Sequence, residues 1–178
     1  MKTLVIVSHP NFEQSLVTKA LQSIAKTLPD VTVRNLETLY GNNPDAIDVA
    51  AEQAACDSVD RIVFLYPTHW FNLTPMLKAY LNVAWTYGWA FGPGGEALKD
   101  KELLVVTSAG ASEFTYSDNG IIESTMLDVL SPLKASALYI GMKFAEPLAF
   151  YGVMNATEND ISSFQQSFSL RIQSETEA

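Results

Sequence analysis

Strand-like and helix-like segments alternate along this chain, and that alternation restricts it to a parallel sheet with crossover helices. Thr3 to Val7 is an apolar run that predicts a first strand. From Ser15 onward Leu16, Val17, Ala20, Leu21, Ile24, Ala25 and Leu28 fall at helical spacing until Pro29 stops the pattern. Val31 to Leu36 predicts a second strand and Ala46 to Ser58 a second helix. Arg61 to Tyr66 is the most hydrophobic run, expected as a central strand covered on both faces. Pro75 opens a further helix at a position where its missing N–H is harmless, and Trp85 to Phe91 is expected to continue it as an aromatic cluster. After the Gly92-Pro93-Gly94-Gly95 loop, Glu102 to Thr107 reads as a strand and Ile121 to Leu133 as a helix. A last strand within Ala137 to Phe144 and an amphipathic helix from Asp160 to Ile172 complete the pattern.

Five strands with four crossover helices and one terminal helix fit a doubly wound α/β sheet of flavodoxin-like order 2-1-3-4-5, a single domain over residues 1–178. Composition narrows the function. Eleven Lys and Arg against twenty Asp and Glu give a net charge of -9 with no basic cluster, which argues against nucleic acid. The longest charge-free apolar runs, such as Ile62 to Tyr66, fall far short of the ~18 to 20 residues a membrane span requires. With one cysteine, Cys56, and no signal-peptide pattern at the N-terminus, the chain is expected in a reducing cytoplasm.

In such a sheet the ligand sits beyond the carboxyl ends of the central strands, so chemistry is sought after Val7, Tyr66 and Val106. The first loop, Ser8 to Ser15, leads into a helix whose unpaired N–H groups favour a phosphate, with His9 and Ser15 as added donors. It carries neither glycine-rich nucleotide signature, which excludes a Walker NTPase and a standard dinucleotide fingerprint. Plainer readings make Ser15 a helix cap and His9 a packed loop residue. The second loop, Pro67-Thr68-His69-Trp70-Phe71-Asn72-Leu73-Thr74-Pro75, sets two bulky aromatics where a loop should be solvated. That suits a flat aromatic ligand, a subunit interface or core packing. The third loop, Thr107-Ser108-Ala109-Gly110-Ala111-Ser112, is small enough for close backbone approach to a ligand. One phosphate site, one aromatic wall and one backbone shelf match the parts of a flavin mononucleotide. Two histidines 60 residues apart, without a Cys or carboxylate cluster, disfavour a catalytic metal, and the lack of a Gly-x-Ser-x-Gly elbow disfavours a serine hydrolase.

At these residues the chain resembles the flavin-dependent NAD(P)H:quinone oxidoreductase family. The resemblance is carried by Ser8-His9-Pro10 with Ser15, by Tyr66 to Tyr80, by Gly88-Trp89-Ala90-Phe91-Gly92 with Gly94-Gly95, and by Thr107 to Gly110. It covers most of residues 1 to about 150 and is most specific in the block with the Trp-Phe pair between two prolines. The resemblance implies FMN, with FAD possible, and hydride from NADH or NADPH passed to a quinone in ping-pong order. It assigns His9, Ser15 and Leu16 to the phosphate. Pro67, Thr68, His69, Trp70 and Phe71 would lie along the isoalloxazine, and Thr107, Ser108, Ala109 and Gly110 at its pyrimidine edge. Tyr116 stands where the family often has a tyrosine beside flavin and substrate; without the family's following histidine, proton delivery is expected from Tyr116, His69 or water. A homodimer is also implied, with the aromatic excess from Trp85 to Phe91 as an interface or as core.

Three positions depart from the family pattern. No histidine follows Tyr116 in Ser117-Asp118-Asn119-Gly120, Ala109 stands in a usual glycine position, and Thr18 replaces a frequent asparagine. Length and spacing match the small bacterial branch, which includes ancillary flavoproteins of potassium-efflux systems, so a membrane transporter is an alternative partner. A one-electron flavodoxin carrier and a flavin-free binding module are the remaining readings.

Overall fold

The computed structural model describes residues 1–174. Six parallel strands form one sheet: β1 (Thr3–Val7), β2 (Val31–Asn35), β3 (Arg61–Pro67), β4 (Glu102–Ser108), β5 (Lys143–Phe144) and β6 (Leu148–Phe150). The order is β2-β1-β3-β4-β5, with β6 pairing the far end of β4. Among the described residues seven α-helices accompany it: α1 (Val17–Ala25), α2 (Leu36–Tyr40), α3 (Val49–Asp57), α4 (Pro75–Ala84), α5 (Met126–Val129), α6 (Ser131–Tyr139) and α7 (Glu158–Gln173).

Alternation along each central strand explains the two cores. Leu4, Ile6, Ile62, Phe64, Leu103 and Val105 point to the face covered by α3, α4 and α6. Val5, Val7, Val63, Leu65, Leu104 and Val106 point to the face covered by α1 and α7. Both faces are buried, so the three strands read as unbroken apolar runs. At the amino edge Arg61, 1% exposed, pairs with Glu102 through Nε. Its other guanidinium nitrogens donate to the carbonyls of Arg171, Ile172 and Ser174 at 2.8–3.0 Å, tying the end of α7 to the sheet. Among the described residues no helix is long and apolar enough to cross a membrane.

Several element boundaries differ from expectation. Strand β2 stops at Asn35, whose side chain accepts from Thr38 N–H at 3.0 Å and starts the short helix α2. Trp85 to Phe91 does not prolong α4. The helix ends at Ala84, whose carbonyl is taken by the Gln53 side chain at 2.8 Å, and the chain turns through Gly88 at φ 79°. The helix expected from Ile121 begins only after Thr125, which forms a reciprocal cap with Asp128, and Pro132 at the start of α6 makes a second beginning. Ala137 therefore lies in α6, not in the last strand. That strand is split: Lys143–Phe144 pairs with Glu102–Leu103, and Leu148–Phe150 with Val106–Ser108. Pro147, which has no N–H to give a ladder, lies in the break. The terminal helix begins slightly earlier than expected, capped by Thr157 and Asp160.

Candidate functional site

The carboxyl ends of β1, β3 and β4 converge on one edge, as the topology requires. Under it lies a polar floor. Ser8, fully buried after β1, donates to Glu37 Oε1 at 2.7 Å and shares a short hydrogen bond with the buried Thr74 hydroxyl. Thr74 caps α4 and Glu37 lies in α2, so one serine ties together the starts of three segments.

The β1 loop turns through Phe12–Gln14 into α1. Ser15 Oγ accepts from Thr18 N–H at 3.1 Å, so the serine does cap the helix. Leu16 and Val17, at the start of that helix, keep N–H groups that no acceptor among the described residues takes up. Leu16 itself is 61% exposed, so any contribution to a phosphate comes from its backbone. The Thr18 hydroxyl is buried without a partner in the same turn, which a bound acceptor would satisfy. His9 is half-buried and its Nδ1 accepts from Asn11 N–H at 3.1 Å. Burial, with a smaller contribution from nearby His69, lowers its pKa. His9 is thus neutral at pH 7 with its proton on Nε2, a donor without a charge. His69, distant in sequence, lies close enough to bear on the charge of His9.

After β3 the chain makes a two-residue turn. His69 and Asn72 exchange backbone hydrogen bonds at 2.9 and 3.0 Å, and the residues between them, Trp70 and Phe71, adopt φ of 49° and 60°. Such a turn normally takes Asn-Gly, so two aromatics in left-handed conformation mark a strained site. Trp70 is 90% exposed. Thr68 is bonded to the β4 exit twice, through its N–H to Ser108 O at 2.8 Å and through its hydroxyl to the Thr107 hydroxyl at 2.9 Å. A cavity of about 170 Å³ beneath the turn is lined by Thr68, Phe71, Leu73, Leu130 and Leu133 among others.

Beyond β4, Ala109 N–H donates to Phe150 O at 2.8 Å. The Ala109 side chain packs into the core, so the departure from glycine leaves the shelf open. A Cβ at Gly110 would meet nothing within 4 Å. Tyr116 is only 8% exposed, its ring packed 5.9 Å from Phe71 and 5.5 Å from Tyr151. Burial raises its pKa, so its phenol keeps its proton at neutral pH. Sequence reasoning missed Glu37, Thr74 and Tyr151. The first two look like ordinary helix-start residues, and Tyr151 follows a strand that short, Pro-interrupted pairing conceals. Among the described residues no three His, Cys, Asp or Glu side chains gather as a metal site.

A family profile described as flavodoxin-like fold matches residues 1–171. The chain belongs to the flavodoxin-like family. It is 42% identical to general stress protein 14 of Bacillus subtilis, with 91% of each chain aligned. It is 39% identical to the uncharacterized NAD(P)H oxidoreductase YrkL of the same organism, over 92% of each. It is also 36% identical to the glutathione-regulated potassium-efflux system ancillary protein KefF of Salmonella newport, over 95% of this chain and 94% of that one. Among solved structures, general stress protein 14 of Treponema denticola in complex with FMN superposes with a TM-score of 0.86 at 33% identity, covering 97% of each chain. A protein described as a thermophilic tryptophan halogenase from Streptomycin violaceusniger superposes at 0.92 with 36% identity, covering 97% of this chain and 99% of that one. The names of these relatives differ in reaction while the architecture is shared, so the reaction is argued from the residues.

Proposed function

We propose that the chain is an FMN-dependent NAD(P)H:quinone oxidoreductase, moving two electrons per turnover with nicotinamide and quinone using one cleft in succession. The observation that supports this most is the start of α1: two free N–H groups, Ser15 and an unpartnered buried Thr18 hydroxyl, on the same sheet edge as the strained aromatic turn. The FMN-bound relative from Treponema denticola supports the choice of cofactor, and the name of YrkL, an uncharacterized NAD(P)H oxidoreductase, agrees with the reaction class.

In this reading His9, Ser15 and the Leu16 backbone hold the phosphate. Pro67, Thr68, His69, Trp70 and Phe71 flank the ring system, and Thr107, Ser108, Ala109 and Gly110 meet its polar edge. When bound, FMN supplies the carrier that takes hydride from NAD(P)H and passes it to the quinone. The protein's share is placement and hydrogen bonding. His9 donates through Nε2 without adding charge. Tyr116, held protonated by burial, donates a hydrogen bond to a quinone oxygen rather than removing a proton. His69 is the second proton-bearing group assigned to the mouth. Kinship with KefF supports a second reading, in which the same flavoprotein also docks on a potassium-efflux transporter. Co-purification with such a transporter in detergent tests it.

The primary test is direct. Protein mixed with FMN and freed of excess ligand is titrated anaerobically with NADH and NADPH, then with a quinone. Loss of the flavin band near ~450 nm and its return with quinone are expected. Retention of FMN without bleaching would leave a binding protein, and no retention would remove the site. Ser15→Asp, which sets a carboxylate beside the phosphate, should weaken FMN by about tenfold or more, ~1.4 kcal/mol.

A further inference from the structure

Tyr116 is assigned to the mouth of the cleft, yet it belongs to a segment with few ties to the sheet. Ala111 to Phe114, Asp118 and Asn119 are exposed. Beyond Ala111 the segment's backbone bonds are local: Thr115 N–H to Ser112 O at 3.0 Å and Gly120 N–H to Ser117 O at 2.9 Å. It folds on itself so tightly that a Cβ at Gly120 would lie 2.1 Å from Phe114 O and 2.5 Å from Thr115 O. Such a segment is stable in shape but needs an anchor in position. The Tyr116 ring is that anchor, packed between Phe71 at 5.9 Å and Tyr151 at 5.5 Å.

Tyr151, by contrast, is fixed to the sheet. It follows β6 directly, and the backbone on both sides is bonded to the exit of β4. Ala109 N–H reaches Phe150 O at 2.8 Å, Gly152 N–H reaches Ala111 O at 2.8 Å, and Val153 N–H reaches Ala109 O at 3.2 Å. We propose that Tyr151 is a positioning residue for the cleft: anchored to the β4 exit, its ring holds Tyr116 against Phe71 and so keeps the 111–120 segment and the Tyr116 hydroxyl in place. The contact is between tilted rings, 46° apart, at a separation where aromatic pairs attract. The Tyr151 hydroxyl makes no hydrogen bond among the described residues, so the ring carries the role. Phe71 and Tyr116 thereby join the strained β3 turn to β6 in one aromatic row. The consequence for turnover rests on the quinone-reductase reading; the holding of the segment does not.

The test separates the two. In flavin-free protein, Tyr151→Leu should speed hydrogen exchange at residues 111–120 several-fold to about tenfold, the size of one lost ring contact, with β1 and β3 unchanged. Tyr151→Phe should stay within about twofold of the unaltered chain. In FMN-loaded protein the same Leu variant should lower kcat with quinone several-fold while the KM for NAD(P)H holds, and Phe should restore most of it. Unchanged exchange in Tyr151→Leu overturns the proposal. So does a Phe variant as impaired as Leu, which would assign the hydroxyl a direct role. Should Leu disturb β1 and β3, Tyr151→Met, which keeps bulk without a ring, is read by the same criteria. If exchange follows expectation but the unaltered protein never oxidises NAD(P)H, the enzymatic reading falls and the positioning of the segment stands.

Discussion

At the scale of single residues, the turn after β3 holds a strained backbone beside the candidate site. Trp70 and Phe71 at φ 49° and 60° occupy a region that costs a residue with a Cβ roughly 1–2 kcal/mol. Trp70 recovers little of this by burial, being almost fully exposed. Trp70→Gly should therefore hold or raise Tm, by up to a few degrees, while weakening FMN. A clear fall in Tm would show that the strain is repaid within the fold. His9 gives a pH dependence whose sign follows from its lowered pKa. Below its unfolded value of about 6.5 the unfolded chain binds more protons than the folded one. Stability contributed by neutral His9 is full above that pH and declines as pH falls toward the lower folded value. Urea midpoints at pH 7.5 and 5.5 should differ less in His9→Asn than in the unaltered chain; equal differences would exclude the residue as a cause.

At the scale of elements, caps and one buried ion pair set where segments begin and end. Thr125 with Asp128 and Thr157 with Asp160 start α5 and α7, each by a reciprocal cap. Arg61 does more, since it binds the Glu102 carboxylate and three carbonyls at the end of α7 while almost wholly buried. Removing one partner of a buried pair costs about 3–5 kcal/mol. Arg61→Met should lower the unfolding free energy by that order, measured by urea denaturation, and should loosen α7 in hydrogen exchange. A loss below about 1 kcal/mol would mean that the sheet holds α7 without the clamp. The central strands were legible because burial on both faces writes a continuous apolar run. The split β5 and β6 were not, since strands of two and three residues carry no period, and the helix before them runs on in similar residues.

At the scale of the molecule, an apolar groove of about 470 Å³ between α4 and α6, lined by Leu81, Trp85, Phe91, Tyr139 and Ile140, lies beside the site cavity and shares Lys78, Leu81 and Ser136 with it. Tyr139 and Tyr87 near it are largely exposed. Exposed aromatic surface of this kind is characteristic of interfaces; if the implied homodimer forms, this is the face on which we expect a second copy of the chain to pack. Tyr139→Glu should shift sedimentation from dimer to monomer at micromolar concentration and lower quinone turnover. A monomer in the unaltered protein would remove this assignment. The sole cysteine takes no part: Cys56 is fully buried, and burial pushes its thiol up to about 11. It should resist thiol reagents until the chain unfolds.

Local sequence by itself determined the alternation of strands and helices, the sheet order that follows from it, and the three loops that bear the candidate site. Those features rest on hydrophobic period, proline placement and residue size, all of which act within a few positions along the chain. Only the tertiary structure decided that His9 lies near His69, that Ser8 links Glu37 to Thr74, that Ala109 points into the core and that Tyr151 backs Tyr116. Each of these is a contact between segments 29 to 66 positions apart, or a side-chain direction set by packing, and no local pattern encodes either. The left-handed Trp70 and Phe71 belong to the same class, because intrinsic preference opposes that turn and the surrounding strands impose it.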